Sequence, residues 1–142
     1  MIEDIILTPL DIIEVPNGRI FHALKNHDQG YKDFGEAYFS EVKSGKVKAW
    51  KRHKLMTLNF VVPIGKIRFV IFDDRIDGHE EYFEYFLSTE NYFRLTIPPM
   101  VWVGFQGLSE TNSILLNVAD LPHDPEEMER KEQEEIEFDW RK

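Results

Sequence analysis

Gly45-Lys46-Val47-Lys48-Ala49-Trp50-Lys51-Arg52-His53-Lys54-Leu55-Met56-Thr57-Leu58-Asn59-Phe60-Val61-Val62-Pro63-Ile64-Gly65 holds two β-type runs, Lys46 to His53 and Met56 to Val62, set between the turn signals Ser44-Gly45 and Pro63-Ile64-Gly65. Lys51 and His53 stand two apart, so a strand presents both on one face. The same alternation of short run and turn continues on either side. Gly35 to Val42 precedes it, and Lys66 to Phe72, Tyr82 to Leu87, Phe93 to Ile97, Val101 to Gln106 and Ser113 to Ala119 follow, with Asp77-Gly78 and Ser88-Thr89-Glu90-Asn91 among the turns. Many short strands at this spacing mean a sandwich or barrel, so the fold class is all-β. Ile5 to Leu7 and Asp11 to Val15, ahead of the Pro16-Asn17-Gly18 turn, add edge strands. Unpaired edges invite aggregation, which favours a homodimer whose sheets continue between subunits.

The chain has 142 residues and a formal charge of −9, and 42% of it is hydrophobic, enough for one packed domain over residues 1–142. No apolar run is long enough for a membrane helix, and the start, Met1-Ile2-Glu3-Asp4-Ile5, lacks a basic-then-apolar leader. With no Cys, disulfides, thiolate metal sites and Cys nucleophiles are excluded. A cytoplasmic protein with no membrane partner is the expectation.

The charge is unevenly spread. From Val42 to Phe72 there is no Asp or Glu, while Lys43, Lys46, Lys48, Lys51, Arg52, Lys54, Lys66 and Arg68 all fall there. This is either an anion site, most naturally for phosphates, or a set of cations alternating outward on solvated strands. Nucleic acid is disfavoured, because the rest of the chain repels a polyanion and no reader motif is present. Residues 123–142 form an acidic tail. Asp124-Pro125-Glu126-Glu127 combines an N-cap residue, Pro at the first position and acids in the first turn, which predicts a short helix. The rest of the tail reads as a solvated helix or a loose cover, with Ile136, Phe138 and Trp140 alternating as if to pack back onto the domain.

The frame from Gly45 to Gly65 resembles the cupin pattern, in which a Gly precedes two His two apart, then a Glu, then a second Gly. Here those positions read Gly45, Lys51, His53, Leu58 and Gly65. A second cupin motif, Pro-x-Gly-x-x-His, falls on Pro98-Pro99-Met100-Val101-Trp102-Val103. The resemblance implies a double-stranded β-helix, the cupin jelly roll. Of the usual metal ligands it retains His53 alone, and an imidazole beside a Lys cation is a poor start for a site that needs three or four donors. A pocket that works without metal or other cofactor is therefore expected, and Lys51, Leu58 and Val103 disfavour a metal-dependent dioxygenase.

More specifically, Leu87-Ser88-Thr89-Glu90-Asn91, Leu95-Thr96-Ile97-Pro98-Pro99, Val103-Gly104-Phe105 and Phe72-Asp73-Asp74-Arg75 resemble dTDP-4-dehydrorhamnose 3,5-epimerase. Thr8-Pro9-Leu10 and Ile12-Ile13-Glu14 are similar to that family's first strands. Lys48-Ala49-Trp50-Lys51-Arg52-His53-Lys54 is similar to the Arg-Gly-x-His-Ala-His-Lys segment of the dTDP-sugar 3,4-ketoisomerases. The likeness covers nearly the whole chain. It implies a nucleotide-diphosphate sugar as partner and isomerisation or epimerisation of a 4-keto-6-deoxy sugar in surface-polysaccharide biosynthesis, including O-antigen sugars of lipopolysaccharide.

Carried over residue by residue, the resemblance puts Lys51 where the epimerases have a catalytic His, Lys48 where they have an Arg and Val103 where they have a second pocket His. Leu121 is nearest to their catalytic Tyr. His53 matches the second ketoisomerase His, which resembles a proton-transfer residue, and Glu36 and Tyr38 fall on a strand that in relatives faces nucleotide and sugar. A 4-keto sugar needs a base for the acidic C–H beside its carbonyl and a donor for the enolate oxygen. The expected catalytic residues are thus His53 as base, Lys51, or Lys48 in its place, as enolate stabiliser and Tyr38 as the acid on the opposite face. Glu36, Lys48, Arg68, Asn59, Trp102, Asn117, Asp120 and Arg19 are the expected substrate-binding residues. Alternatives stay open: His53 as a polar barrel residue bonded to Tyr38 or Glu36, Lys51 turned to solvent, Trp50, Trp102 and Phe105 as core, and the whole protein as a non-catalytic nucleotide-sugar-binding or regulatory cupin.

Overall fold

A computed structural model describes residues 2–142; Met1 of the acidic start lies outside them. In chain order the strands are β1 (Ile6–Pro9), β2 (Ile12–Val15), β3 (Gly18–Phe21), β4 (Glu36–Val42), β5 (Val47–His53), β6 (Leu58–Ile64), β7 (Lys66–Ile76), β8 (His79–Ser88), β9 (Phe93–Ile97), β10 (Trp102–Gly107), β11 (Ser113–Ala119) and β12 (Met128–Arg130). One five-stranded sheet runs β1-β9-β6-β11-β4 and the other β12-β5-β10-β7-β8, while β2 and β3 form a separate hairpin. All pairings between strands are antiparallel. This is the jelly roll expected. β7 and β8 run beyond their expected ends into a hairpin at Asp77-Gly78, where Gly78 takes φ 74°.

The two sheets face each other across one core. Leu58, Phe60 and Val62 of β6, Ile67, Phe69 and Ile71 of β7, and Leu115 of β11 alternate inward and are all buried. A second apolar layer lies on the outer face of the β12-containing sheet, where Trp50, Val70, Phe72 and Trp102 pack against Ile136 and Trp140. The Trp50 and Trp140 rings are 5.5 Å apart, and Phe138 meets Trp140 edge-on at 4.9 Å.

The tail supplies that layer: Ile136, Phe138 and Trp140 pack back onto the domain as their alternation suggested, while the expected short helix is corrected. Asp124 does cap a turn, accepting from Glu126 N at 3.0 Å, but the turn is a single 3-10 turn over Pro125–Glu127. From Met128 the backbone is extended (φ −127°, ψ 150°) and pairs with β5. The open β5 edge offers backbone donors and acceptors that an extended segment satisfies and a helix does not. Lys54 N donates to Glu127 O at 2.8 Å, and Trp50 and Lys131 exchange bonds of 3.0 and 3.1 Å.

Candidate active site

The pairing of β10 with β5 skips a residue: Val103 opposes Lys51, yet Phe105 opposes Lys48, so Ala49 and Trp50 together face Gly104 alone. This is a β-bulge, and it resets the alternation of side chains. A regular strand that turns His53 and Lys51 inward would turn Lys48 out. The extra residue brings Lys48 back to the inner face while Trp50 keeps its place in the outer layer. Gly104 leaves the room required, since a Cβ there would lie 2.8 Å from that of Ala49 and 3.0 Å from the Trp140 ring.

The inner face opens into a cavity of about 580 Å³, lined by Lys48, Lys51 and His53 from one sheet and Tyr38 and Ser40 of β4 from the other, over a floor of Leu58, Phe60 and Leu115. Arg130 of β12 joins the wall. Among the described residues no group of three or more His, Asp or Glu side chains converges as a metal would need, and Leu58 and Val103 present carbon to the cavity.

His53 is held by a residue that the sequence reading missed. Its Nδ1 lies 2.6 Å from Glu127 Oε1, and the other carboxylate oxygen accepts from Leu55 N and Met56 N, each at 3.0 Å. Glu127 is 6% exposed. Burial pushes its carboxyl up, but the bonds from His53, Leu55 and Met56 and the charge of His53 outweigh this and leave it below the ordinary carboxylate range. An ionised carboxylate on Nδ1 assigns the hydrogen to that nitrogen, so Nε2 is the basic one. The partner is thus neither Tyr38 nor Glu36. The one sequence signal for it was the helix-start pattern at Asp124-Pro125, which places Glu127 in a fixed turn.

The cavity cations differ in their settings. Lys48 Nζ donates to Glu41 O at 2.9 Å and lies 3.4 Å from Ser40 Oγ. Lys51 is held below the ordinary lysine range, first by burial and then by repulsion from Arg130 and Lys48, with Glu127 acting the other way. Tyr38 Oη accepts from Asn117 Nδ2 at 3.1 Å, which orients the phenol.

Several expected site residues lie elsewhere. Arg68 is on the outer face of β7, bonded to Glu84 Oε1 at 2.8 Å and to Trp140 O at 3.3 Å, because its strand alternates Ile67, Phe69 and Ile71 inward. Trp102 belongs to the outer layer, with the Arg52 guanidinium 4.6 Å and Lys131 Nζ 4.9 Å from its ring. Asn59 is turned away from the cavity and donates to Gly30 O at 3.1 Å, pinning the loop that precedes β4. Asp120 accepts from Thr57 N at 2.7 Å, and burial holds its carboxyl above the ordinary range despite that bond. Asn117 reaches the site only through Tyr38. Glu36 shares the inward face of β4 but lies outside the cavity wall, and Arg19 sits on the hairpin against Phe21, also outside it. Of the basic stretch, only Lys48 and Lys51 line the cavity; Arg52 is bidentate to Glu129 on the outer side.

No family model matches the chain. It superposes on a dTDP sugar isomerase from Desulfovibrio desulfuricans G20 with a TM-score of 0.92, at 39% identity, over 98% of this chain and 92% of that one. The chain belongs to the dTDP-sugar isomerase family. Among relatives of this isomerase family, the probable low-salt glycan biosynthesis epimerase Agl13 of Haloferax volcanii is 28% identical, covering 97% of this chain and 89% of its own. The dTDP-4-dehydrorhamnose 3,5-epimerase from Sulfolobus tokodaii shares the isomerase family's fold, with a TM-score of 0.80 at 21% identity over 94% of this chain and 80% of that one.

Proposed function

We propose that this chain epimerises or isomerises a nucleotide-linked 4-keto-6-deoxy sugar, with dTDP as the nucleotide, in the assembly of a surface polysaccharide, and that its own side chains suffice for the chemistry. The observation that carries this reading is the His53–Glu127 pair, 2.6 Å apart, set in a cavity walled by Lys48, Lys51 and Arg130. His53 Nε2 removes the proton beside the ketone, and the fixed carboxylate stabilises the imidazolium that forms. Tyr38, presented by the opposing sheet, returns a proton to the other face. Lys48 and Arg130 hold the diphosphate.

Family membership supports a nucleotide sugar as ligand. Lys51 and Val103 stand where the 3,5-epimerases are read to carry His, and this favours the second reading, a binder without turnover. Incubation with dTDP-4-keto-6-deoxyglucose in D₂O separates the two: NMR should show loss of the C3 or C5 proton signal, and loss of that exchange in His53→Asn. Saturable binding with no exchange would leave the binder. We place the protein in the cytoplasm as a homodimer, in keeping with its substrate class; among the described residues no helix is long and apolar enough to cross a membrane.

A further inference from the structure

Three lysines line the cavity; Lys131 lies 4.9 Å over the Trp102 ring of the outer layer, and the protein treats the other two, Lys48 and Lys51, differently. Lys48 has its hydrogens directed at protein oxygens, Glu41 O and Ser40 Oγ. Among the described residues Lys51 has no hydrogen-bond or ion-pair partner; it opposes Val103 in register and lines the cavity with Leu58, Phe60 and Phe105. An amine set in an apolar wall beside other cations is the arrangement that makes a lysine nucleophilic near neutral pH, and its lowered proton affinity agrees with this. His53, two residues along the same strand and on the same face, stands about 7 Å away at the backbone, close enough for one residue to address a carbonyl carbon and the other the carbon next to it.

We infer that Lys51 is a covalent catalyst, condensing with the ketone of the bound sugar to give an iminium from which His53 removes the neighbouring proton. The inference rests on the isomerase reading above and changes its chemistry. Lys51 Nζ, as the free amine, forms a bond to C4. The carbonyl oxygen departs as water, carrying one hydrogen from the amine and one proton from the cavity, and the C=N⁺ that remains keeps one N–H. Loss of the adjacent proton to His53 sends the C–H electrons into a new C=C bond and neutralises the nitrogen as an enamine. Reprotonation of that carbon on the opposite face regenerates the iminium with inverted configuration. Water then adds to C4, the C–N bond breaks, and the ketone and free Lys51 are restored.

This chemistry also selects the reaction. Moving the ketone from C4 to C3 through the same enamine would leave C4 as a secondary amine joined to Lys51, a bond that water does not cleave. The enzyme is therefore an epimerase at carbons next to the ketone, and its product retains the 4-keto group.

The test is reductive trapping. Wild-type protein is incubated with dTDP-4-keto-6-deoxyglucose and cyanoborohydride, digested and mapped by mass spectrometry, with solvent deuterium exchange followed in a parallel sample. The expected result is a reduced sugar adduct on Lys51 that depends on both reagents, exchange in the wild type, and loss of exchange in Lys51→Arg, which keeps the positive charge but cannot form an iminium. Exchange in the wild type with no adduct on Lys51, or exchange retained in Lys51→Arg, overturns the covalent role while the isomerase reading stands. Absence of both adduct and exchange overturns both. Because the adduct is sought in the wild type, a poorly folded variant does not decide the outcome.

Discussion

The carboxylate of Glu127 accepts from an imidazole and two backbone amides, so each oxygen is fixed and the ring of His53 has one orientation. Glu127→Gln keeps the shape and removes the charge. It should lower the exchange rate by about 100-fold or more, with little change in substrate affinity, as judged by kcat against KM. The same residue sets an acid limit on stability. Its folded proton affinity is below the ordinary value of 4.5, so the unfolded chain binds the proton more tightly. The stabilisation is complete above that ordinary value and disappears as pH falls through the depressed one. Thermal melts of wild type and Glu127→Gln should differ by several degrees in Tm at neutral pH and converge in acid. His53 was legible from its spacing to Gly45 and Gly65, whereas Glu127 was not. One acid among many in a charged run carries no local mark of the contact it makes 74 positions away.

The bulge in β5 decides which cations line the cavity, and nothing at Ala49-Trp50 announces it, since neither residue is the Gly or Pro that usually marks such an irregularity. Strict alternation places Arg52, Trp50 and Lys48 on one face; the structure keeps Arg52 and Trp50 outside and takes Lys48 in. Gly104→Ala probes this directly. The added methyl has no space against Ala49 and the Trp140 ring, so the variant should lose about 1–3 kcal/mol, seen as a lower denaturant midpoint at unchanged slope, and should bind nucleotide sugar more weakly as Lys48 shifts. The tail is the other element that periodicity only half described. The alternation of Ile136, Phe138 and Trp140 signalled burial, but β12 between two 3-10 turns answers to the vacant edge of β5, a long-range partner that local propensity does not contain. Trp140→Ala, which removes a ring buried against Trp50 and Phe138, should cost about 3 kcal/mol by chemical denaturation.

The jelly roll was readable because short alternating runs and turn residues repeat along most of the chain, and the strands of both sheets, β12 excepted, fall where those runs lie. The sites that moved, Arg68, Trp102 and Asn59, did so because assigning a residue to a strand leaves open which face it takes. The β2–β3 hairpin pairs with neither main sheet, and Ile13 and Ile20, cross-strand neighbours on it, are exposed. We expect a second copy to cover them. Light scattering should give twice the 16.9 kDa of one chain, and Ile13→Lys with Ile20→Lys should halve that mass; a wild-type monomer at micromolar concentration would argue against the pairing. One outcome of the architecture concerns biosynthesis. The acid that aims the base, and the rings that seal the outer wall, lie downstream of both strands they serve, so a ribosome releases the barrel before it releases the parts that make it work. A nascent or clipped chain ending before Asp124 would carry Lys48, Lys51 and the imidazole but no carboxylate to fix that ring, and a ketone intermediate would meet an idle vessel.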